Sequence, residues 1–339
     1  MSDPILDVTD LTVTYQDGGQ TVTAVSDANV TIQDGEYLGL VGESGSGKST
    51  LAKSIIGALA DNGTIESGTI RYKGREIQDM GTKQLNREIR WKEISWIPQS
   101  SMNSLDPLKR ISQQAIELAK VHTDFSKGET RERLSEAFEI VGLPPSRIDD
   151  YPHEFSGGMN QRAIIALSIF LEPSLIIADE PTTALDVIMQ DQIFRHLEEL
   201  RDRDTTIMLI THDISLVFEF CDSISIMHAA QIAETGPVGE LYQDPRHPYS
   251  ILLQEAFPDF HDTDKELSEI SGYPPQLGPN PDFCSFADRC PWAAEECHDG
   301  QPELESVSDD VVHTVACVRK DEVDRKNPPA EPTGEMTDD

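Results

Sequence analysis

The sequence predicts an α/β protein with a mostly parallel sheet covered by helices, an antiparallel β subdomain at its start and a small extension at its end. Residues 5–15 and 21–33 alternate apolar and polar side chains around the turn QDGGQ, which is typical of an antiparallel hairpin. The apolar run at residues 37–42 leads through a glycine-rich loop into a helical pattern. Strand and helix patterns then alternate from 156 to 211, as in a mostly parallel sheet.

The remaining elements follow from local patterns. Residues 48–60 form a helical pattern that ends before Asp61-Asn62-Gly63, and residues 85–150 are charged and helix-like, which predicts a helical insertion. Further predictions are a helix from Ser156 to about residue 171, a strand at 175–179, a helix at 187–203, a strand at 206–211 and a hairpin at 223–236. The end, RKNPPAEPTGEMTDD, is too polar and proline-rich to pack and is predicted to be disordered.

The length of the chain indicates its number of domains, and its net charge restricts the classes of ligand that it can bind. A chain of 339 residues predicts one domain of more than about 200 residues plus an appendage. With 61 acidic and 27 basic side chains the net charge is -34, and such a surface repels nucleic acid and anionic lipid. Because salt screens this repulsion, we hypothesise a protein from the high-salt cytoplasm of a halophile; an ordinary acidic enzyme is the alternative.

The N-terminus and the hydropathy pattern bear on location. MSDPILDVTDLTVTY lacks the basic and apolar regions of a signal peptide, and no window approaches about eighteen consecutive apolar residues. We therefore expect a soluble, cytoplasmic protein. Disulfides are unusual in that compartment, so clustered cysteines there indicate a metal or a redox role.

The stretch GESGSGKS, residues 42–49, fits the pattern G-x-x-x-x-G-K-[ST] between a predicted strand and a predicted helix. Its glycines allow backbone N–H groups to surround phosphate oxygens, Lys48 reaches the outer phosphates, and the Ser49 hydroxyl can bind Mg²⁺. The residues expected to bind the nucleotide here are Gly42, Ser44, Gly45, Gly47, Lys48, Ser49 and Thr50.

The stretch LIIADE places two acids at the end of a predicted buried strand. Asp179 would lie beside the phosphate loop at the sheet edge, where its carboxylate can hold Mg²⁺. Glu180 follows directly and could orient and deprotonate an attacking water. These two elements indicate a P-loop nucleoside triphosphatase.

The stretch FSGGMNQR, residues 155–162, resembles the signature of ATP-binding cassette (ABC) ATPases. Ser156 is a good helix N-cap, and Gly157 and Gly158 allow close approach to an anion at the helix N-terminus. The resemblance implies that this helix binds the ATP held by a second cassette. Because one chain carries one phosphate loop and one signature, it must dimerise head to tail.

Other cassette elements follow in the expected order. The resemblance implies that Tyr15 stacks on adenine, that Gln99 senses Mg²⁺ and the γ-phosphate, that Asp186 lies in the loop between the two sites, and that His212 is the switch histidine. Catalysis is therefore expected from Glu180, with His212 and Gln99.

Longer matches narrow the family. QSSMNSLDP, HPYS, GYPPQLG and FADRCP resemble ATP-binding subunits of oligopeptide, dipeptide and nickel ABC importers. This implies peptide uptake with a second ATPase subunit, two transmembrane permease subunits and, indirectly, an extracellular solute-binding protein, at the cytoplasmic face of the membrane and without nucleic acid. A soluble regulator or translation factor is the alternative. The expected domains are the cassette at 1–255, its helical subdomain at about 85–165, an extension at 256–325 and a disordered tail at 326–339.

Four of the five cysteines lie near the end of the chain. Cys284, Cys290, Cys297 and Cys317 suit a metal clip in a core-poor appendage, although their spacing lacks the paired C-x-x-C of common zinc modules. They resemble the cysteine set of peptide-importer ATPases, which implies a [4Fe-4S] cluster with a structural role. Zinc, or thiols without metal, are the alternatives, and a redox brake on transport is another role. Cys221 is isolated among apolar residues and is predicted to be a core thiol.

The net charge predicts a salt-dependent fold. We expect unfolding at low ionic strength and recovery in molar KCl, because the Debye length falls to about 3 Å at 1 M salt and self-repulsion is then screened. Thermal unfolding measured across a KCl series checks this. A melting temperature that does not change with salt would contradict the high-salt hypothesis.

Overall fold

The computed structural model describes residues 3–99, 104–182, 187–201, 204–257, 270–275, 278, 283–308 and 312–323. Their strands are β1 (Leu6–Asp17), β2 (Gln20–Ile32), β3 (Tyr37–Val41), β4 (Gly63–Tyr72), β5 (Arg75–Glu76), β6 (Ile94–Ile97), β7 (Leu175–Asp179), β8 (Thr206–Thr211), β9 (Ser223–His228), β10 (Gln231–Pro237), β11 (Glu305–Ser306) and β12 (Thr314–Val315). Asp186 and the tail at 326–339 lie outside the described residues.

The helices alternate with these strands. They are α1 (Lys48–Ile55), α2 (Thr82–Glu88), α3 (Ile111–His122), α4 (Lys127–Ile140), α5 (Gly157–Ile169), α6 (Val187–Glu198), α7 (Ile214–Phe220), α8 (Val238–Gln243) and α9 (Pro248–Glu255). None of the helices in the described part of the chain has the length and apolar character needed to cross a membrane.

The strands form two sheets. A four-stranded antiparallel sheet has the order β2-β1-β4-β5, and an eight-stranded sheet has the order β11-β12-β10-β9-β3-β8-β7-β6. In the large sheet, β9, β3, β8, β7 and β6 are parallel, whereas β10, β12 and β11 add in antiparallel fashion. The carboxyl ends of β3, β7 and β8 therefore meet at one edge, and the loops that follow them come together there.

Two cores cover the two faces of the large sheet. On β3, Leu38 and Leu40 face the core shared with the small sheet and α1, while Tyr37 and Val41 face the core shared with α3, α4 and α5. Both faces are buried, which explains why β3, β7 and β8 are continuous apolar runs rather than alternating patterns. Cys221 packs against the second core and is half-buried, and burial raises the pKa of its thiol.

The extension is built into the large sheet. Its strand β12 pairs with β10, where Thr314 lies opposite Thr235. Glu234 of β10 is fully buried and accepts hydrogen bonds from the backbone N–H groups of Arg246 and His247, and it contacts His313 Nε2 at 2.8 Å. A buried carboxylate must be satisfied in this way, so Glu234 ties the extension to the chain before it.

Some predicted elements need correction. The helix predicted at 48–60 ends at Ile55, because Gly57 turns the chain with a φ of 63°. The segment predicted as helical from about residue 85 contains β6, whose run ISWI completes the parallel sheet. The patterns also missed β4 and β5, which close the small sheet. The hairpins, β3, β7, β8 and the start of α5 agree with the predictions.

Candidate active site

The loop after β3 can only be built with glycine at two positions. Gly42 has a φ of 152°, and a Cβ there would lie 2.0 Å from the carbonyl oxygen of Met227. Gly47 has a φ of 108°, and its Cβ would lie 2.2 Å from the carbonyl oxygen of Ala24. These close contacts hold the loop against neighbouring backbone, so its path into α1 is fixed. Gly45, with a φ of 80°, and Ser44 are exposed at the tip.

The start of α1 is open to an anion. Gly47 is its N-cap and provides no side-chain acceptor, so the N–H groups of the first turn are not capped by a side chain. The buried Lys48 Nζ donates to the carbonyl oxygens of Gly42 (2.7 Å) and Glu43 (2.8 Å). Burial lowers the pKa of Lys48, and the nearby carboxylates of Glu180, Asp179 and Glu43 oppose that shift.

Asp179 ends β7 beside α1. The Ser49 hydroxyl donates to Asp179 Oδ1 at 3.2 Å, and Thr50 follows Ser49 in the first turn of the helix. Burial raises the pKa of Asp179, while the Ser49 hydrogen bond and the lysines Lys53 and Lys48 lower it. A hydroxyl and a buried carboxylate in contact are oxygen ligands that suit Mg²⁺.

Glu180 is the meeting point of three chain segments. Its φ of 47° is unusual for a side chain larger than glycine, and its N–H donates to the carbonyl oxygen of Ile210 on β8. Its carboxylate accepts a hydrogen bond from Gln99 Nε2 at 2.7 Å, and its other oxygen lies 3.3 Å from His212 Nδ1. The structure thus brings Gln99, Glu180 and His212 together.

Other predicted residues lie apart from this cluster. Ser156 caps α5, where its hydroxyl accepts from the Met159 N–H at 3.3 Å, and both Ser156 and Gly157 are exposed while Gly158 is half-buried. Tyr15 is half-buried on β1, opposite Gly63, where a Cβ would lie 2.6 Å from its ring.

Sequence patterns missed two residues that join the site to its surroundings. Gln161 Nε2 donates to the carbonyl oxygen of Pro181, so the signature helix α5 contacts the chain directly after Glu180. The Tyr249 hydroxyl accepts from the N–H of Glu43 in the phosphate loop at 2.9 Å. Gln161 lies in the motif FSGGMNQR and Tyr249 lies in HPYS. Their partners are distant in the sequence, so no local pattern predicts these contacts.

The four cysteines of the extension line one cavity. Cys284, Cys290, Cys297 and Cys317 lie around it together with His247, and all four are free thiols. Burial is the main cause that raises the pKa of Cys290 to about 12 and that of Cys317 to about 11, and nearby thiols add to the rise. No group of three or more His, Cys, Asp or Glu side chains within the described ranges is arranged to hold a single metal ion.

Residues 25–183 match the ABC transporter family, and residues 233–297 match the C-terminal region of oligopeptide and dipeptide transporters. The oligopeptide transport ATP-binding protein OppD of Salmonella typhimurium is 44% identical over 307 residues, which is 90% of this chain and 91% of that protein. The chain belongs to this family of ABC transporter ATPases. It is therefore an ATPase, whose ligands are ATP and Mg²⁺.

Further relatives agree with this assignment. OppD of Escherichia coli is 43% identical over 89% of this chain and 90% of that protein, and a putative peptide import ATP-binding protein of Brucella abortus is 41% identical over 88% and 91%. A solved dimeric ATP-binding cassette with ADP and Pi bound has a TM-score of 0.63 at 26% identity, covering 69% of this chain and 98% of that one. The predicted fold class is confirmed.

The position of Glu180 yields a test of the ABC ATPase site. Glu180→Gln should lower ATP turnover by about 10²- to 10⁴-fold, the contribution typical of a positioned general base. ATP binding should persist because the loop and Lys48 are unchanged. His212→Ala should also slow turnover. Phosphate release and nucleotide binding are the measurements.

The matched control is Glu172→Gln, which removes a surface carboxylate paired with Arg133. It should keep the parental turnover. Hydrolysis by Glu180→Gln at the parental rate would refute the role of Glu180.

Proposed function

We propose that this chain is the ATP-hydrolysing subunit of an ABC importer that takes up peptides or a related small solute. The observation that carries the proposal is the similarity to OppD, which covers the cassette and also reaches into the extension. The names of the relatives describe oligopeptide transport and peptide import. A soluble regulator or translation factor finds no comparable support among them.

The chemistry proposed for the site uses residues that the fold brings to one edge. Lys48, with the open N-terminus of α1, would bind the β- and γ-phosphates. Ser49 and Asp179, with Gln99 nearby, would hold Mg²⁺, which when bound neutralises phosphate charge. Glu180 would accept a proton from the attacking water.

His212 and Gln99 would keep Glu180 in place for this step. Both side chains contact the Glu180 carboxylate and approach it from different strand ends. Such contacts restrict the carboxylate to one orientation before ATP arrives. Tyr15, which is half-buried, would stack on adenine through the face of its ring.

Head-to-tail dimerisation is proposed from the exposed signature. Ser156, Gly157 and Gly158 form the N-terminus of α5, where N–H groups and the helix dipole favour an anion. In the proposed dimer they bind the ATP held by a second, identical or homologous, ATPase subunit, and Asp186 lies between the two sites. A solved ATP-binding cassette of similar structure is described as dimeric.

The permease subunits have a proposed docking groove next to Gln99. A cavity lies between β6 and α3 and is lined by aromatic and aliphatic side chains that include Trp91, Trp96, Leu118 and Val121. Leu108, which precedes the lining residue Lys109 in the chain, is 85% exposed. An apolar groove in so acidic a chain suits a short helix of a transmembrane subunit. Gln99, next to the groove, would link the binding and hydrolysis of ATP to the position of that helix.

Location and further partners follow from this proposal. The chain would be peripheral at the cytoplasmic face of the membrane, bound to its permease and served indirectly by an extracellular solute-binding protein. No nucleic acid partner is proposed, because the net charge of -34 opposes one. The same charge supports the proposal that the chain works in the high-salt cytoplasm of a halophile.

The uptake of a labelled peptide tests the proposed cargo. The chain, its ATPase partner and both permease subunits are reconstituted in vesicles with the ATPases facing the lumen, and the binding protein and the peptide are added outside. Uptake should require ATP enclosed in the vesicle, where the ATPases lie. The matched control is Glu180→Gln, which should assemble but not transport. Uptake of nickel and not peptide would contradict the cargo, and sedimentation with ribosomes would contradict transport.

We also propose that the four cysteines hold a [4Fe-4S] cluster with a structural role. Burial raises the pKa of Cys284, Cys290 and Cys317, and hydrogen bonds from the backbone N–H groups of Phe286, Trp292 and Arg319 oppose that rise. Such bonds stabilise a thiolate, which is the form that binds iron.

The proposal does not require the four sulfurs to converge on one point. A cluster takes one thiolate at each of four irons, so its ligands do not have to converge on one point as those of a zinc ion do. When bound, the cluster would cross-link Cys317, which follows β12, to the segment that carries the other three cysteines. The extension would then be fixed to the edge of the large sheet.

Anaerobic purification checks the cluster. The protein should be brown, with broad absorption near about 400 nm and four irons per chain, as four cysteine ligands require. Cys290→Ser should lose the colour and the iron, whereas Cys221→Ser, which alters a cysteine away from the cavity, should keep both. A colourless parental protein without iron or sulfide would refute the proposal.

A further inference from the structure

The extension reaches the phosphate loop through one ion pair. Arg289 Nη1 and Nη2 donate to the two carboxylate oxygens of Glu43, each at 2.8 Å. Glu43 is the second residue of GESGSGKS, and Arg289 directly precedes Cys290. The Arg289 side chain is 8% exposed and that of Glu43 is 21% exposed. This bidentate, largely buried geometry is the one in which a charge pair fixes an orientation.

Arg289 is itself held rigidly. Its Nε donates to the carbonyl oxygen of Ser271 at 3.0 Å, and its guanidinium lies 5.7 Å from the ring centroid of Phe286. Phe286 is buried and packs edge-on against Tyr249, with ring centroids 5.4 Å apart. The guanidinium thus presents a fixed pair of donors to the loop.

Glu43 makes hydrogen bonds through its N–H, its carbonyl oxygen and its carboxylate. Its N–H donates to the Tyr249 hydroxyl, its carbonyl oxygen accepts from Lys48 Nζ, and its carboxylate binds Arg289. Glu43 therefore also positions Lys48, the lysine expected to bind the outer phosphates. A shift of Glu43 would move the carbonyl that Lys48 contacts.

Charge gives the pair a second effect. The Glu43 carboxylate lies close enough to influence the ionisation of Lys48. Without Arg289, a partly buried carboxylate would remain unpaired beside the site that receives a triphosphate, and it would repel the ligand. Arg289 neutralises that carboxylate. The positive charge of Lys48 and of the α1 N-terminus can then attract the phosphates of ATP.

We propose that Arg289 is a positioning residue for the phosphate loop, so that the cysteine-containing extension forms part of the ATP-binding site. Arg289 acts through Glu43 and does not contact the reacting atoms. Its loss should weaken ATP binding while leaving the hydrolytic cluster of Gln99, Glu180 and His212 in place. The proposal concerns the ATPase activity and does not depend on the cargo or on what the cysteines bind.

Steady-state kinetics of Arg289→Met in the full chain test the proposal. The KM for ATP should rise about tenfold, which corresponds to about 1.4 kcal/mol, while kcat changes less than about twofold. Arg289→Lys keeps the charge but loses the paired donors, so its KM should lie between those of the parental and Arg289→Met proteins. The dissociation constant for ATP should follow the same order.

Two further variants distinguish loss of the Arg289–Glu43 pair from a general disturbance of the extension. Adding Glu43→Gln to Arg289→Met removes the unpaired carboxylate and should recover most of the lost affinity. Arg319→Met is the matched control, because Arg319 lies in the same extension but pairs with Glu296 and Glu322. It should leave the KM unchanged.

Three results would overturn the proposal: an unchanged KM in Arg289→Met, an equal rise in Arg319→Met, or a rise that Glu43→Gln does not reduce. Thermal unfolding without nucleotide accompanies each variant. If Arg289→Met does not fold, the comparison uses Arg289→Lys with and without Glu43→Gln, since both keep a cation at this position. In that pair, a KM that stays at the parental value in Arg289→Lys overturns the proposal.

Discussion

The open N-terminus of α1 is the constraint on which the rest of the structure depends. An uncapped first turn leaves N–H groups without partners, which is costly unless an anion or water receives them. The glycines at 42 and 47 pass so close to neighbouring backbone that the loop has little freedom to shield these groups itself. A phosphate bound there would accept hydrogen bonds from N–H groups that no side chain caps.

The parallel sheet brings the hydrolytic residues to this open helix. Asp179 and Glu180 follow β7, His212 follows β8, and Gln99 comes two residues after β6. Because neighbouring parallel strands end at the same edge, Gln99 and Glu180, which are 81 positions apart, meet within hydrogen-bonding distance. The unusual φ of Glu180 turns its carboxylate between Gln99 and His212, and the hydrogen bond to Ile210 helps to hold that conformation.

Sequence patterns predicted the parts of this arrangement that are set locally. The strands β3, β7 and β8 are apolar because both faces are buried, and glycine and capping residues mark the starts of α1 and α5. The strand β6 has four residues, too few for a clear pattern of its own, so its place depends on pairing with β7. The contacts of Tyr249 and Arg289 with the loop span 206 and 246 residues, and no local pattern encodes them.

A chain with a net charge of -34 still has to attract an anionic nucleotide. Screening resolves part of this conflict, because the Debye length is about 8 Å at physiological ionic strength and distant acids contribute little. The acids close to the site all have partners: Glu43 pairs with the guanidinium of Arg289, Asp179 accepts a hydrogen bond from the Ser49 hydroxyl, and Glu180 contacts Gln99 and His212. In the proposed site, Lys48 and the α1 N-terminus would supply the local attraction, so we expect ATP binding to respond more to the Arg289–Glu43 pair than to the overall charge.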